Sequence, residues 1–191
     1  MRMKPRDCQI GVMGSSNDML NEADCQRFSE TAERLGAAIA SHGCSLVTGA
    51  TTGLPDMVSR AARRQGGLTI GISPAISEIE HVEQYRYPID AVDVMIYTGF
   101  GLKGRNVINI RSSDIVIIIG GGMGTLNEFT IAYDEGKIIG ILEGTGGITD
   151  HLRKIVGFAQ KQTTSHLVFA SEPEGLIDEC LSVWRSQKVK P

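Results

Sequence analysis

A glutamate and an arginine, each close to a glycine-rich stretch, are the residues of this sequence best suited to chemistry on an anionic ligand. Glu128 follows Gly120–Thr125, a stretch rich in glycine, and Arg105 follows a second such stretch, Thr98–Gly104. Arginine pairs well with phosphate, and a carboxylate stabilises positive charge that develops during a reaction. The pattern therefore predicts a phosphate-binding site that contains one cation and one carboxylate.

The residues around Gly120–Thr125 predict a turn between a buried strand and a helix. Ile115–Ile119 is an unbroken β-branched run, typical of a strand that is buried on both faces of a parallel sheet. Leu126, Phe129 and Ala132 then have helical spacing. Glycines in such a turn let backbone N–H groups approach a ligand, and the start of a helix favours an anion.

Strands and helices alternate through the rest of the chain. Helices are predicted over about Glu22 to Ser41 and Arg105 to Ser113, whereas residues 73–90 are irregular. The other predicted strands are Gln9–Met13, Ser45–Thr48, Leu68–Ile72, Val92–Tyr97, Lys137–Leu142 and Leu167–Ala170. The alternation predicts an α/β fold, a mainly parallel sheet with helices on both faces, and residues 1–191 are expected to form one domain.

Several loops should meet at the carboxyl edge of this sheet, where ligands bind in open α/β folds. Arg105 is predicted to open one helix there, and Glu128 is predicted in the first turn of another. Asn106 and Asn109 follow Arg105 on its helix. The predicted ligand-binding residues are Ser15, Ser16, Gly49, Gly53, Asn106, Asn109, Gly121, Gly122, Met123, Gly124 and Thr125.

Structural explanations compete with this interpretation. Thr125-x-x-Glu128 also matches a capping box, which stabilises a helix start by about 1 kcal/mol. Arg105 and Asn109 would equally fit a solvated helix face. Gly120–Gly124 would also permit a tight turn, although it holds more glycines than a tight turn requires. The convergence of all these features at one sheet edge favours a ligand site.

The standard nucleotide-binding motifs are incomplete. Gly11 and Gly14 have the wrong spacing for a dinucleotide fingerprint, and Gly122–Asn127 lacks its last glycine. Gly99–Asn106 has the glycine spacing of a P-loop but ends in Arg-Asn, without the phosphate-binding lysine and the Mg²⁺-binding hydroxyl. The four histidines share no ligand-like spacing. We predict neither a metal nor a cofactor.

Composition narrows the class of protein. A formal net charge of −3 argues against a general nucleic-acid binder. The four cysteines form no CxxC pair, which is typical of free thiols in a reducing compartment. No apolar run approaches the roughly 20 residues that span a bilayer, and the basic N-terminus is not followed by a signal-peptide pattern. A cytoplasmic protein without membrane or nucleic-acid partners is expected.

Gly121–Glu128, with the sequence GGMGTLNE, resembles the PGGxGTxxE signature of the LOG (LONELY GUY) family, often labelled "lysine decarboxylase-like". Arg105-Asn106 stands at the spacing of the Arg-Lys pair that forms this family's second signature. The resemblance covers most of the chain and implies a Rossmann-like doubly wound fold, a homodimer or a higher homo-oligomer, and a nucleoside monophosphate substrate. By the same resemblance Arg105 and Glu128 are the catalytic pair, and lysine decarboxylation is not expected.

Three positions depart from the family pattern: Gly120 replaces its Pro, Asn106 its Lys, and Asn127 the first Glu of its usual Glu-Glu. The Gly49–Gly53 loop is also shorter, which looks more like the branch that contains molybdenum-cofactor carrier proteins. The characterised members of the family are cytokinin-activating phosphoribohydrolases, which cleave an N6-substituted AMP to the base and ribose 5-phosphate, and the resemblance implies this activity here. A binding or carrier protein for a nucleotide or for molybdenum cofactor, and an assembly protein with a vestigial pocket, are the alternatives.

Overall fold

The computed structural model describes residues 8–16 and 22–188, and in this part of the chain seven strands form one parallel sheet. The strands are β1 Gln9–Gly14, β2 Ser45–Thr48, β3 Thr69–Ser73, β4 Val94–Tyr97, β5 Ile115–Ile119, β6 Ile138–Leu142 and β7 His166–Ala170. Their spatial order is β4-β3-β2-β1-β5-β6-β7. The predicted Rossmann-like α/β fold is confirmed.

In the described part of the chain, six α-helices connect and cover the strands. They are α1 Glu22–Ser41, α2 Leu54–Arg64, α3 Gly101–Arg111, α4 Met123–Asp134, α5 Leu152–Ala159 and α6 Pro173–Lys188. The irregular segment before β4 contains a π-helix, Glu80–Gln84, and a 3₁₀ helix, Gly147–His151, precedes α5. Every helix of the described residues is too short or too polar to cross a bilayer.

β5 separates two hydrophobic cores. Its side chains Ile115, Ile117 and Ile119 pack into the core that α1, α2 and α6 cover, while Val116 and Ile118 pack into the core of α3, α4 and α5. All five are fully buried. Burial of one such side chain contributes about 1.5–3 kcal/mol, so this strand needs an apolar residue at every position.

The order of the strands places a crevice beside β1. The chain builds the sheet outwards from β1 in one direction through β4, and then returns to the other side of β1 with β5. The loops that follow β1 and β5 consequently diverge to opposite faces of the sheet. In open α/β sheets ligands bind in the crevice at such a switch point.

Two predicted helix positions are wrong. α3 begins at Gly101 rather than at Arg105, so Gly101–Gly104 form its first turn and Arg105 lies in the second. α4 begins at Met123, which places Glu128 in its second turn rather than its first. Both charged side chains therefore lie deeper below the helix starts than expected, which agrees with their burial.

Candidate active site

A cleft of about 180 Å³ opens at the switch point, between α3 and α4. It brings together the two predicted charged residues and five of the predicted ligand-binding residues. Its lining consists of Gly14, Ser16, Thr51, Tyr87, Leu102, Lys103, Arg105, Asn106, Gly122, Gly124, Thr125 and Glu128. Six other predicted residues do not line the cleft: Ser15, Gly49, Gly53, Asn109, Gly121 and Met123. Most of them contact or make room for residues that do.

The N-terminus of α4 faces the cleft and is uncapped. Gly122 is the N-cap residue, and no side chain among the described residues hydrogen-bonds as its cap. The first N–H groups of a helix have no partner within the helix and favour an anion. Thr125 is the third helical residue, so the capping-box interpretation of Thr125 and Glu128 is wrong. Gly122, Gly124 and Thr125 are left to face a ligand.

Hydrogen bonds from distant loops hold the turn before α4. The N–H of Gly120 donates to Thr145 Oγ1 at 2.9 Å, and the N–H of Gly121 donates to Ser15 Oγ at 2.5 Å. Thr149 Oγ1 donates to the carbonyl oxygen of Gly120. The N–H of Gly121 is therefore already used within the protein, and Gly121 and Ser15 shape the turn rather than contact the cleft.

Arg105 is buried without a full set of partners. Only 6% of the residue is exposed, and its Nε has no hydrogen-bond acceptor among the described residues. Burial lowers the pKa of the Arg105 guanidinium, and the nearby Glu128 carboxyl acts in the opposite direction. An arginine still keeps its charge in a protein, so the cleft contains a desolvated cation with hydrogen-bonding capacity to spare.

Gly49 makes the space that Arg105 occupies. A Cβ atom added at Gly49 would lie 1.4 Å from Arg105 Nη1. The predicted binding role of Gly49 is thus indirect: its missing side chain admits the guanidinium. Gly53, at the end of the same loop, also makes room for a close approach, because a Cβ there would lie 2.2 Å from the carbonyl oxygen of Ser15. Thr51, between these glycines, is the residue of this loop that lines the cleft.

Replacement of Gly49 by alanine is therefore expected to displace the Arg105 guanidinium. Misplacement of a functional group by about 1 Å costs on the order of 100-fold in rate, so we expect Gly49→Ala to slow any reaction that depends on Arg105 by about that factor. Steady-state kinetics measure it. Gly157→Ala is the matched control, since no atom lies within 4 Å of a Cβ added there, and it should leave the rate unchanged. Full activity of Gly49→Ala would contradict this role.

Glu128 lies beside Arg105 and is 7% exposed. Burial raises the pKa of its carboxyl, whereas the charge of Arg105 and a hydrogen bond from the Asn109 side chain lower it. With its amide turned by 180°, Asn106 donates to Leu102 O at 2.9 Å and to Glu128 Oε1 at 3.3 Å. Asn106 and Asn109 of α3 thus position the carboxyl of α4.

Five cleft residues are not among those predicted from the sequence: Gly14, Thr51, Tyr87, Leu102 and Lys103. Leu102 and Lys103 belong to the first turn of α3, which looked like a loop. Lys103 precedes Asn106 by one helical turn, a spacing that places both on the same face, so an earlier helix start would have revealed it. Tyr87 lies in the irregular segment before β4, where no periodic pattern marks it.

Two other hollows have less suitable chemistry. One of about 370 Å³ is lined by Arg60, Arg63 and Arg64, whose guanidinium groups already pair with carboxylates. Another, of about 220 Å³ between α4 and α5, is mainly apolar. Among the described residues no three His, Cys, Asp or Glu side chains converge as metal ligands. The switch-point cleft is the candidate site.

The fold and the cleft define a Rossmann-like α/β protein with an uncapped helix N-terminus and a buried arginine and glutamate at the switch point. The chain belongs to the SLOG cluster4 family, whose model matches residues 7–177. This finding and the relatives below confirm the resemblance to LOG-like proteins. An uncharacterised protein of Archaeoglobus fulgidus is 35% identical over 135 residues, which are 71% of this chain and 80% of that protein.

Compared with the Archaeoglobus fulgidus protein, the relatives with a named activity match a smaller part of the chain or have a lower identity. The cytokinin riboside 5'-monophosphate phosphoribohydrolase of Mycobacterium tuberculosis is 34% identical over 57% of this chain and 56% of its own length. Among solved structures, the molybdenum cofactor binding protein of Rippkaea orientalis has a TM-score of 0.76 and 32% identity, and the match covers 94% of this chain and 99% of that one. The chain is thus similar to an enzyme and to a binding protein.

Proposed function

We propose that this protein is a nucleoside 5'-monophosphate phosphoribohydrolase that cleaves AMP or an N6-substituted AMP to the free base and ribose 5-phosphate. The observation that carries the proposal is the buried carboxyl of Glu128 beside the buried guanidinium of Arg105 in one cleft. A protein that only holds a phosphate has no need of a desolvated carboxyl next to it. The mycobacterial relatives with this activity support the assignment.

The N-terminus of α4 is the proposed phosphate subsite. The N–H groups of Gly122, Gly124 and Thr125 lie where the dipole of α4 favours negative charge. Lys103, which lines the same cleft and is exposed, adds a cation to this subsite. Arg105 then offsets negative charge on the phosphate or on the departing base.

Glu128 is the proposed catalytic carboxylate. Water replaces the base at the anomeric carbon, so the glycosidic C–N bond breaks as a C–O bond forms, and the base leaves with a proton. Departure of the base creates an oxocarbenium-like cation on the ribose, and a carboxylate held by Asn106 and Asn109 stabilises that charge and orients the water. The reaction consumes only water, so no cofactor is required.

The direct test is to incubate the protein with AMP and other nucleoside monophosphates and to separate the products by HPLC. We expect free base and ribose 5-phosphate in equal amounts. Absence of free base from every nucleotide at high protein concentration would overturn the hydrolase.

A carrier of a phosphate-bearing ligand such as molybdenum cofactor is the second candidate. It is favoured by the nearly complete overlap with the Rippkaea orientalis binding protein. The same helix N-terminus would hold the phosphate, with no chemistry at Glu128. A carrier predicts ligand affinity without turnover, and a cofactor that is recovered unaltered from the complex. In either role the small molecule is the partner, and a cytoplasmic location is proposed because the buried Cys8 and Cys180 form no disulfide.

We further propose a homodimer that covers the apolar surface around the edge strand β4. Ile96 of β4 is 45% exposed, Phe100 after it is 69% exposed, and Ile76, which lies against Gly99, is 73% exposed. Exposed large apolar side chains around a sheet edge are typical of an interface. Light scattering should give twice the chain mass for the protein and the single mass for Phe100→Asp. A monomeric wild-type protein would contradict the dimer.

A further inference from the structure

Tyr87 supplies the cleft with an aromatic ring. Among the described residues that line the cleft, the others are glycines, small polar residues, charged residues and Leu102. Tyr87 and Arg105 line the same cleft. The ring therefore borders the space next to the proposed catalytic pair.

The backbone around Tyr87 is bent so that two rings stack. Arg86 has a φ of +58°, a left-handed conformation that non-glycine residues rarely adopt. With this bend the rings of Tyr85 and Tyr87 lie 5.7 Å apart in a stacked arrangement. The left-handed turn at Arg86 thus accompanies the stacking of the ring that borders the cleft.

His81 anchors this segment from inside the protein. It is fully buried, and its Nδ1 lies 2.8 Å from Ser73 Oγ while its Nε2 lies 3.1 Å from the carbonyl oxygen of Pro88. Burial lowers the pKa of the imidazole, which is therefore neutral and donates from Nε2. Its ring meets Tyr87 edge-on at 5.6 Å, and Tyr87 N–H donates to its carbonyl oxygen at 3.2 Å. Tyr87 is consequently preorganised.

We propose that Tyr87 is the specificity-determining wall of the cleft, against which the planar ring of the ligand's base stacks. This inference rests on the nucleotide ligand of the proposed function. A rigid ring loses little conformational freedom on binding, and stacking of a base on an aromatic side chain contributes about 1–3 kcal/mol. Nucleotides with a planar base are then favoured over simple sugar phosphates, which the helix N-terminus alone cannot distinguish from them.

The test compares AMP with ribose 5-phosphate, which shares the phosphate and sugar but lacks the base. Calorimetry in the Glu128→Gln background gives both Kd values without turnover. Tyr87→Leu should weaken AMP binding by about 5- to 150-fold, the equivalent of the stacking energy, and leave ribose 5-phosphate within about twofold. Tyr87→Phe keeps the ring and should bind both ligands almost as before. Tyr87→Met, a second ringless variant, should match Tyr87→Leu.

Equal loss of both ligands, or no loss of either, would overturn the stacking role, as would a Tyr87→Phe variant that behaves like Tyr87→Leu. Failure of AMP to bind would overturn it as well. Failure of the hydrolase gives a different result: the wild-type protein would bind AMP and release no adenine, while the ratio of the two Kd values would still respond to Tyr87→Leu.

Discussion

Glu128→Gln is expected to lower the rate of AMP hydrolysis by about 10²–10⁴-fold. Glutamine has nearly the same shape and keeps an oxygen towards Asn106 and Asn109, but it carries no charge to stabilise the ribosyl cation. AMP binding, which depends on the N-terminus of α4, should change by no more than about threefold. Single-turnover assays and calorimetry separate the two quantities. Glu179→Gln, the same change at an exposed position of α6, is the control.

The same substitution should make the protein more stable at neutral pH. Burial raises the folded-state pKa of the Glu128 carboxyl above its unfolded value. The protonated form is therefore favoured by folding, and this contribution to the free energy of unfolding is lost as pH rises through the folded-state pKa. Glutamine is always neutral and avoids that loss, so Tm should rise at pH 7 and the gain should vanish in acid. A lower Tm at pH 7 would contradict a desolvated carboxylate.

The pH dependence expected for AMP hydrolysis by the wild-type protein follows from the same shift. If the ionised carboxylate acts in catalysis, kcat/KM should fall on the acid side with an apparent pKa above the ordinary 4.5 of a glutamate. A profile that stays flat down to pH 4 would exclude Glu128 as the titrating group.

Arg105→Met is expected to have the second large effect, a loss of about 10³-fold in kcat/KM near neutral pH. The substitution removes a desolvated cation from the ligand, and it removes the positive charge that lowers the pKa of Glu128. More of the Glu128 carboxyl is then protonated, so the acid limb of the pH–rate profile should move to higher pH. Methionine roughly conserves the buried volume.

Arg111→Met is the matched control on the same helix, because Arg111 is 68% exposed and pairs with Glu135 at the surface. It should leave the rate and the acid limb unchanged. An Arg105→Met variant that loses rate without a shift of the acid limb would show that Arg105 binds ligand but does not act through Glu128.

Much of the fold could be predicted because apolar, β-branched runs mark the strands clearly in the sequence. Ile115–Ile119 and Ser45–Thr48 were predicted to the residue, since an apolar run between polar or glycine-bearing ends has few alternatives in an α/β protein. The start of α3 was missed because Gly101 and Gly104 are poor helix formers. Packing of α3 against α4 overrides that preference, and packing is not visible in the local sequence.

The sequence likewise predicts some features of the candidate site and not others. The rule that loops meet at the carboxyl edge of a parallel sheet was enough to bring Arg105 and Glu128 together. It could not show which backbone groups are already used: the partner of the Gly121 N–H is Ser15, which is distant in sequence. Nor could it show that Gly49 serves Arg105, since that depends on how deeply the guanidinium is buried.

Because the start of α4 is uncapped, a bound ligand would stabilise this helix. A side-chain cap is worth about 1 kcal/mol to a helix, and α4 lacks one at Gly122. A bound phosphate would occupy the place of that missing side chain and accept hydrogen bonds from the free N–H groups at the start of α4, so the ligand itself would act as the cap. Ligand binding and the stability of the protein would then be linked, and at 100 times Kd a bound nucleotide would add about 2.7 kcal/mol to the free energy of unfolding.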